Sequence, residues 1–169
     1  MDIATFGAVC FWCIEAILLN VSGVTSIDVG YTGGHIDEPT YKMVCEGVTG
    51  HAEVAQIKFD PEKITYKELL SIFFEIHDPT TLNRQGNDVG TQYRSSIFYH
   101  DSTQQEIAQQ VKSSLQSKFN NNIVTEITAF EKFYIAEEYH QNYYNNNKNA
   151  PYCNFVIKPK IEKYLNEKK

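Results

Sequence analysis

Residues 3–19 decide the fold, and they read IATFGAVCFWCIEAILL. Residues 3–7 are typical of a short buried strand, and the mostly apolar residues 14–19 predict a core helix. The motif Cys10-Phe11-Trp12-Cys13, which contains the only tryptophan, lies between them. Cys10 is therefore expected at a strand-to-helix junction, where unpaired helical N–H groups and the helix dipole favour a thiolate over a thiol.

This position predicts redox or nucleophilic chemistry at Cys10. The alternative is an inert cysteine buried beside a core tryptophan. A CxxC motif at a helix start is also typical of thioredoxin-like sites. Such a site needs a downstream proline opposite its cysteines, and none is recognisable in this sequence.

The four cysteines also raise the alternative of a structural zinc site. Such a site usually pairs two closely spaced motifs. This chain has one CxxC motif. The other candidate ligands are far from it in the sequence, and only Cys45 and His51 are near each other, whereas Cys153 stands alone. A metal site is therefore not expected.

The length, composition and charge of the chain limit the kinds of protein that it can be. A chain of 169 residues with 42% hydrophobic residues can bury the core of one domain, expected to span residues 1–169. Its 15 basic and 21 acidic residues give a net charge of −6, with basic residues dispersed except near the C-terminus, which disfavours nucleic-acid binding. No basic leader precedes an apolar run, and Glu15 interrupts the longest one, so we expect a cytoplasmic protein without a membrane span.

The periodicity of the rest of the chain predicts alternating strands and helices. Strands are expected at 27–31, 52–59, 95–99 and 124–129, and helices at 65–77, from Asp101 or Ser102 to 118, at 137–148 and after Pro159. The pair Thr65 and Glu68 has the spacing of a capping box. Long loops are expected up to about Thr49 and at 78–94, and loops of that length are often functional.

The order strand, helix, strand, strand, helix, strand is that of the ferredoxin-like split βαβ unit. We therefore predict an α+β sandwich of this type with a C-terminal helical or irregular extension. Residues 150–169 form the expected C-terminal tail, which carries Cys153.

Glu53 is the main candidate for an acid. It lies at the start of a strand whose neighbours are mainly apolar, and a desolvated carboxyl group keeps its proton to higher pH, as a general acid must near neutrality. The alternative is that Glu53 points to solvent. Asp88, Tyr93 and Tyr31, taken alone, could be an ordinary surface aspartate and half-buried tyrosines.

Several blocks of sequence resemble the signatures of a known family, the A-type peptide methionine sulfoxide reductases. The similarity lies in residues 4–16, 30–34, 49–54, 83–95, 136–141 and 151–153, which cover almost the whole chain in the same order. One departure is Val9, because the family usually has glycine directly before the nucleophilic cysteine. A protein that binds methionine sulfoxide without turnover is the alternative function that Val9 suggests.

The resemblance implies a role for each candidate residue. Cys10 would attack the sulfur of methionine-S-sulfoxide, free or within a polypeptide, and Glu53 would protonate the leaving oxygen. The remaining roles are hydrogen bonding to that oxygen by Tyr31 and Tyr93, enclosure of the S-methyl group by Phe11 and Trp12, and support of the reacting groups by Asp88.

Recycling of the enzyme is also implied by the resemblance. The first step leaves a sulfenic acid on Cys10, which a second thiol removes as a disulfide before thioredoxin restores the enzyme; no cofactor is needed. Cys153 is the favoured resolving cysteine, brought in by a flexible tail. Cys13 is the alternative, with strain expected in the first helical turn, and Cys45 is expected to be a small buried residue.

Overall fold

The computed structural model describes residues 1–8 and 10–167, so Val9 and its departure from the family pattern lie outside the described residues. The strands are β1 (Asp2–Gly7), β2 (Val24–Thr32), β3 (Ala52–Phe59), β4 (Arg84–Gln85), β5 (Asp88–Val89), β6 (Ser96–Tyr99), β7 (Glu126–Ala129) and β8 (Tyr134–Ile135). The α-helices are α1 (Phe11–Leu18), α2 (Tyr41–Cys45), α3 (Tyr66–Glu75), α4 (Ser102–Leu115), α5 (Tyr143–Asn146) and α6 (Lys158–Glu167).

Six of the strands form one mixed sheet in the order β7-β6-β1-β3-β2-β8. Its four central strands are antiparallel neighbours, and their order is that of a ferredoxin-like sheet. The predicted α+β fold class is therefore confirmed. Two short strands extend this sheet, since β7 adds parallel to β6 and β8 adds antiparallel to β2.

Side chains on the two faces of strand β3 pack in different parts of the core. Ala55 and Ile57 belong to the main core with the residues of α1, whereas Ala52 and Val54 pack with Phe98 in a second cluster. Because side chains alternate along a strand, Glu53 shares the face of Ala55 and Ile57. The alternation thus places its carboxyl group toward α1.

Helix α1 is buried along nearly its whole length. Only Trp12 among its residues is partly exposed, and even the charged Glu15 is buried. Helix α3 begins with the expected capping box, in which Thr65 and Glu68 exchange hydrogen bonds. No helix within residues 1–8 and 10–167 has the length and apolar character needed to cross a membrane.

Both long loops contain short elements that the sequence pattern did not indicate. Helix α2 follows its N-cap Thr40, whose hydroxyl accepts a hydrogen bond from the Met43 N–H. The stretch 78–94 contains the β4–β5 hairpin and a 3-10 turn at Thr91–Tyr93. Elements of two to five residues are too short to leave a hydrophobic period.

The C-terminal third departs from the prediction in two places. The helix expected at 137–148 is wrong: the structure has a 3-10 turn at Glu138–His140 and the short α5, separated where Asn142 adopts a left-handed conformation with φ of 54°. The C-terminal extension is helical, as predicted, with a π-helical turn at Cys153–Ile157 that leads directly into α6. Cys153 and Ile157 are buried, however, so this segment is packed against the core and is not the flexible tail that was expected.

Candidate active site

Cys10 lies between β1 and α1, as the sequence predicts. It is the N-cap residue of α1, with φ of −50° and ψ of 132°, and 4% of its surface is exposed. Its extended conformation places it before the first helical turn. Cys10 is therefore an almost fully buried residue that directly precedes α1.

The charge state of Cys10 differs from the one expected at a helix start. Burial raises the pKa of its thiol well above the usual value, and the hydrogen bond with Cys13 and the charge of Glu53 act in the same direction. The N–H of Phe11, the first of the helix, is directed at Glu53. The backbone N–H of Trp12 favours the thiolate, as expected at a helix start, but burial raises the pKa more than this hydrogen bond lowers it, so the thiolate expectation is wrong for this state.

Glu53 is buried beside Cys10, so the solvent-facing alternative is wrong. Only 1% of its surface is exposed, and its Oε1 accepts the Phe11 N–H at 3.3 Å. Its Oε2 is also buried and has no hydrogen-bond partner among the described residues. Burial raises the pKa of Glu53 to about 8, so the carboxyl group carries a proton at neutral pH. A neutral acid with one free oxygen therefore stands next to the thiol.

Two aromatic side chains adjoin the thiol on the helix side. Phe11 is fully buried, whereas Trp12 is half-buried. The indole ring stacks on Tyr143 with 3.8 Å between ring centroids and 10° between planes, and its N–H donates to Nδ1 of His140 at 2.9 Å. Trp12 is therefore fixed on one face and at its nitrogen.

Tyr31 is buried, but its hydroxyl group is already engaged. It donates to Oε1 of Glu137 at 2.9 Å, and the other carboxylate oxygen of Glu137 accepts the Tyr41 N–H at 3.0 Å. Although partial burial opposes it, these hydrogen bonds lower the pKa of Glu137. Glu137 thus carries a charge that connects β2 to the start of α2.

Two other tyrosines are within electrostatic reach of both Cys10 and Glu53. Burial raises the pKa of Tyr93 and of Tyr41, and the charges of Glu53 and Cys10 contribute to both shifts. Tyr93 was expected in the site from the sequence, whereas Tyr41 was missed. The stacked rings of Tyr41 and Phe11, 6.2 Å apart, place Tyr41 against the aromatic wall.

Asp88 connects the long loop to the C-terminal helical segment. Its Oδ2 accepts a hydrogen bond from the Tyr152 hydroxyl at 2.9 Å, and the sulfur of Cys13 lies 3.9 Å from the same hydroxyl oxygen. Asp88 therefore reaches the cysteine motif through Tyr152.

The remaining thiols differ sharply in exposure. Cys13 and Cys153 are fully buried, whereas Cys45 is exposed, so the expectation of a buried Cys45 is wrong. Cys45 lies at the end of the short α2, where one side faces solvent. Within the described residues, no three His, Cys, Asp or Glu side chains converge in a way that could hold a metal ion.

Sequence reasoning missed several residues that shape the site. These are Tyr41, Glu137, His140, Tyr143 and Tyr152. The segment 136–141 and the triplet 151–153 were noted as family-like blocks, and they were the available signal for three of them. Tyr143 and Tyr41 gave no signal, because each lies in a short helix.

Comparison with known proteins gives the site its context. The sequence profile of the peptide methionine sulfoxide reductase family matches residues 2–169. The chain belongs to this family. It is 55% identical to MsrA of Sulfolobus acidocaldarius over 98% of this chain and 94% of that protein. It is 54% identical to MsrA of Saccharolobus solfataricus over 98% of this chain and 93% of that protein.

Solved structures of the family agree with the fold. The reduced form of Mxr1 from Saccharomyces cerevisiae superposes with a TM-score of 0.86 at 39% identity, covering 90% of this chain and 88% of that one. Methionine sulfoxide reductase A of Corynebacterium diphtheriae superposes with a TM-score of 0.79 at 34% identity, covering 87% and 75%. The chain is thus a peptide methionine sulfoxide reductase, an oxidoreductase that acts on methionine sulfoxide.

Proposed function

We propose that this reductase acts on the S epimer of methionine sulfoxide, free or in proteins, with Cys10 as nucleophile and Glu53 as acid. The observation that carries the proposal is Oε2 of a neutral Glu53, which is buried beside Cys10 and has no hydrogen-bond partner within residues 1–8 and 10–167. An unsatisfied buried polar atom is costly unless a ligand completes it. A sulfoxide oxygen is the acceptor that a protonated Oε2 requires.

The proposed chemistry is balanced without a cofactor. The sulfur of Cys10 attacks the sulfoxide sulfur while Glu53 gives its proton to the sulfoxide oxygen. The S–O bond of the substrate breaks, and its oxygen forms a new bond to the Cys10 sulfur, which becomes a sulfenic acid. The S–S bond formed by the attack breaks at the same time, with its electron pair going to the substrate, which leaves as the thioether. The proton that the Cys10 thiol loses restores the acid. Cys10 is oxidised by the two electrons that reduce the sulfoxide.

Protonation of Cys10 in the substrate-free enzyme fits this scheme. Burial, the largest cause of the raised pKa of Cys10, keeps the thiol neutral. When a polarised S–O dipole occupies the site, its positive sulfur lies next to the thiol and favours the thiolate. Activation of the nucleophile would then depend on bound substrate.

Binding of the substrate is assigned to the surrounding aromatic groups. Phe11 and Trp12 offer apolar surface for the S-methyl group, where a polar wall would bind it less well. The hydroxyl groups of Tyr93 and Tyr41 are assigned to the sulfoxide oxygen. Tyr31, whose hydroxyl is bonded to Glu137, would contribute through the position of Tyr41.

Asp88 is assigned a supporting role. Its hydrogen bond from Tyr152 holds the loop against the C-terminal helical segment, and this contact fixes the wall behind Cys13. Removing the carboxylate would free both elements without removing any reacting atom.

Recycling is assigned to an intramolecular disulfide between Cys10 and either Cys153 or Cys13, followed by reduction by thioredoxin. Support comes from yeast Mxr1, which has been solved in complex with Trx2 and superposes on this chain with a TM-score of 0.62 at 30% identity. A cytoplasmic location, where such a reductant is available, stays a prediction.

The two epimers of one methionine sulfoxide substrate test the proposal. With dithiothreitol as reductant, we expect turnover of the S epimer and less than one hundredth of that rate with the R epimer. Equal rates would contradict the proposed geometry, because one arrangement of Cys10, Glu53 and the aromatic wall cannot fit both configurations. Reduced thioredoxin in place of dithiothreitol then tests the recycling step.

A further inference from the structure

We propose that Cys13 is the thiol that removes the sulfenic acid from Cys10, and that the Cys10–Cys13 disulfide is then passed to Cys153. This inference rests on the proposed function, since it needs a sulfenic acid on Cys10. Cys153, which was the favoured first partner from the family resemblance, then acts second.

Cys10 and Cys13 lie close together in the folded protein. Cys10 and Cys13 are joined by a side-chain hydrogen bond, and the Cys13 N–H donates to the Cys10 carbonyl oxygen at 2.9 Å. A turn closed in this way holds its ends within about 7 Å between Cα atoms, which is also the limit for a disulfide. The resolving sulfur is therefore beside the nucleophile before the reaction begins.

A disulfide between Cys10 and Cys13 need not strain helix α1. A bridge between two residues inside a helix has its Cβ vectors constrained, which was the objection to Cys13. Cys10, however, is the N-cap residue with ψ of 132°, so it precedes the helix and its side chain is not held in a helical orientation. The bridge can close by rotation at Cys10, and the hydrogen bonds of α1 stay intact.

Cys153 lacks these advantages as a first partner. It is fully buried in a π-helical turn together with Ile157, and the preceding Tyr152 is bonded to Asp88. This burial and this hydrogen bond both oppose movement of the segment toward Cys10. Direct attack by Cys153 therefore carries a conformational cost that attack by Cys13 does not.

Cys13 lies between the other two thiols. Its sulfur is 3.9 Å from the hydroxyl group of Tyr152, the residue before Cys153, and its charge acts on the thiol of Cys153. The hydrogen bond with Cys10 is the largest cause that lowers the pKa of Cys13, although burial opposes it. A thiol that ionises more readily attacks a sulfenic sulfur faster at neutral pH.

Each step is balanced. The Cys13 sulfur attacks the sulfenic sulfur of Cys10, the S–S bond forms, and the hydroxyl group leaves with the Cys13 proton as water. The Cys153 sulfur then attacks Cys13, and Cys10 departs as a thiolate that takes up a proton. A dithiol reductant of the thioredoxin class finally reduces the Cys13–Cys153 bridge and becomes a disulfide itself.

The test uses the full chain with Cys45→Ser, since that exposed thiol could trap a sulfenic acid. Reduced protein, freed of reductant, receives one equivalent of a peptide methionine sulfoxide with dimedone, is alkylated at set times and is digested with trypsin. Trypsin leaves Cys10 and Cys13 together on residues 1–42 and Cys153 on residues 149–160. An internal bridge and a cross-link between peptides are thus distinguished by mass.

We expect the Cys153→Ser protein to form the bridge inside 1–42 without a dimedone adduct, and Cys13→Ser to accumulate the adduct on Cys10. In the protein that keeps all three thiols, the internal bridge should appear before the cross-link. A dimedone adduct in Cys153→Ser, or a cross-link that appears first, would overturn the proposal. The time course with all three thiols decides even if Cys13→Ser fails to fold.

The same experiment distinguishes a failure of the proposed function from a failure of the Cys13 assignment. If the protein with all three thiols releases no methionine in the first turnover, no sulfenic acid forms and the proposed chemistry at Cys10 is wrong. If methionine is released but the wrong bridge forms first, only the assignment of Cys13 fails.

Discussion

The backbone N–H of Phe11 lies 3.3 Å from Oε1 of Glu53, which joins the first residue of α1 to the start of β3. This hydrogen bond orients the carboxyl group so that Oε1 is occupied and Oε2 is left free. Because the same helix start carries Cys10, acid and nucleophile are held by one junction. The distance between them is therefore set by the packing of α1 on the sheet.

Glu53→Gln should slow the chemical step by about 10²-fold or more, because an amide can donate a hydrogen bond but cannot deliver a proton. Single-turnover kinetics with a peptide methionine sulfoxide measure that step. Glu62→Gln, the same change at an exposed position, is the matched control and should keep the wild-type rate. A Glu53→Gln rate within a few-fold of wild type would mean that Glu53 is only structural.

Glu53 should also make the free energy of unfolding depend on pH. Its pKa is about 8 in the folded protein and about 4.3 in an unfolded chain. Between these values the folded state holds a proton that the unfolded state has released, so stability falls as pH rises toward 8. Glu53→Gln has no such loss.

Thermal unfolding between pH 5 and pH 8 measures this effect. The unfolding temperature of Glu53→Gln relative to wild type should rise steadily across the range, because only the wild type loses the contribution of its protonated carboxyl group. The relative value for Glu62→Gln should stay constant. A constant difference for Glu53→Gln would show that Glu53 is already ionised at pH 5.

Local sequence signals predicted the framework of the fold well. The period of two in β3 identified the face that carries Glu53, and the Thr65–Glu68 pair identified the start of α3. Both signals depend on neighbours within a few residues. The central strand order followed from the succession of elements, because short connections leave few ways to pair them.

The supporting residues of the site could not be predicted in this way. Glu137 and His140 act on Tyr31 and Trp12, which are more than one hundred positions away along the chain. No local pattern reports such a contact. The prediction of a thiolate at Cys10 was wrong for a related reason. A helix start can be recognised in the sequence, but the degree of burial, which raises the pKa of Cys10, cannot.

Cys10→Ser should abolish turnover, because a serine hydroxyl cannot take up the sulfoxide oxygen, whereas a thiol does so and becomes a sulfenic acid. The measurement is methionine formation with dithiothreitol in excess. Cys45→Ser, an exposed thiol changed in the same way, should remain active. If Cys10→Ser keeps even a tenth of the wild-type rate, another residue is the nucleophile.

Trp12→Ala should raise KM and lower kcat/KM for methionine sulfoxide by at least tenfold, or about 1.4 kcal/mol, because one large apolar wall of the site is lost. Trp12→Phe keeps an aromatic surface and should lose less. Since Tyr143 stacks on the indole ring, Tyr143→Leu should show an intermediate loss and shift the fluorescence of Trp12, the only tryptophan. Circular dichroism establishes that each variant is folded, and unchanged kinetics in folded Trp12→Ala would show that Trp12 only fills the core.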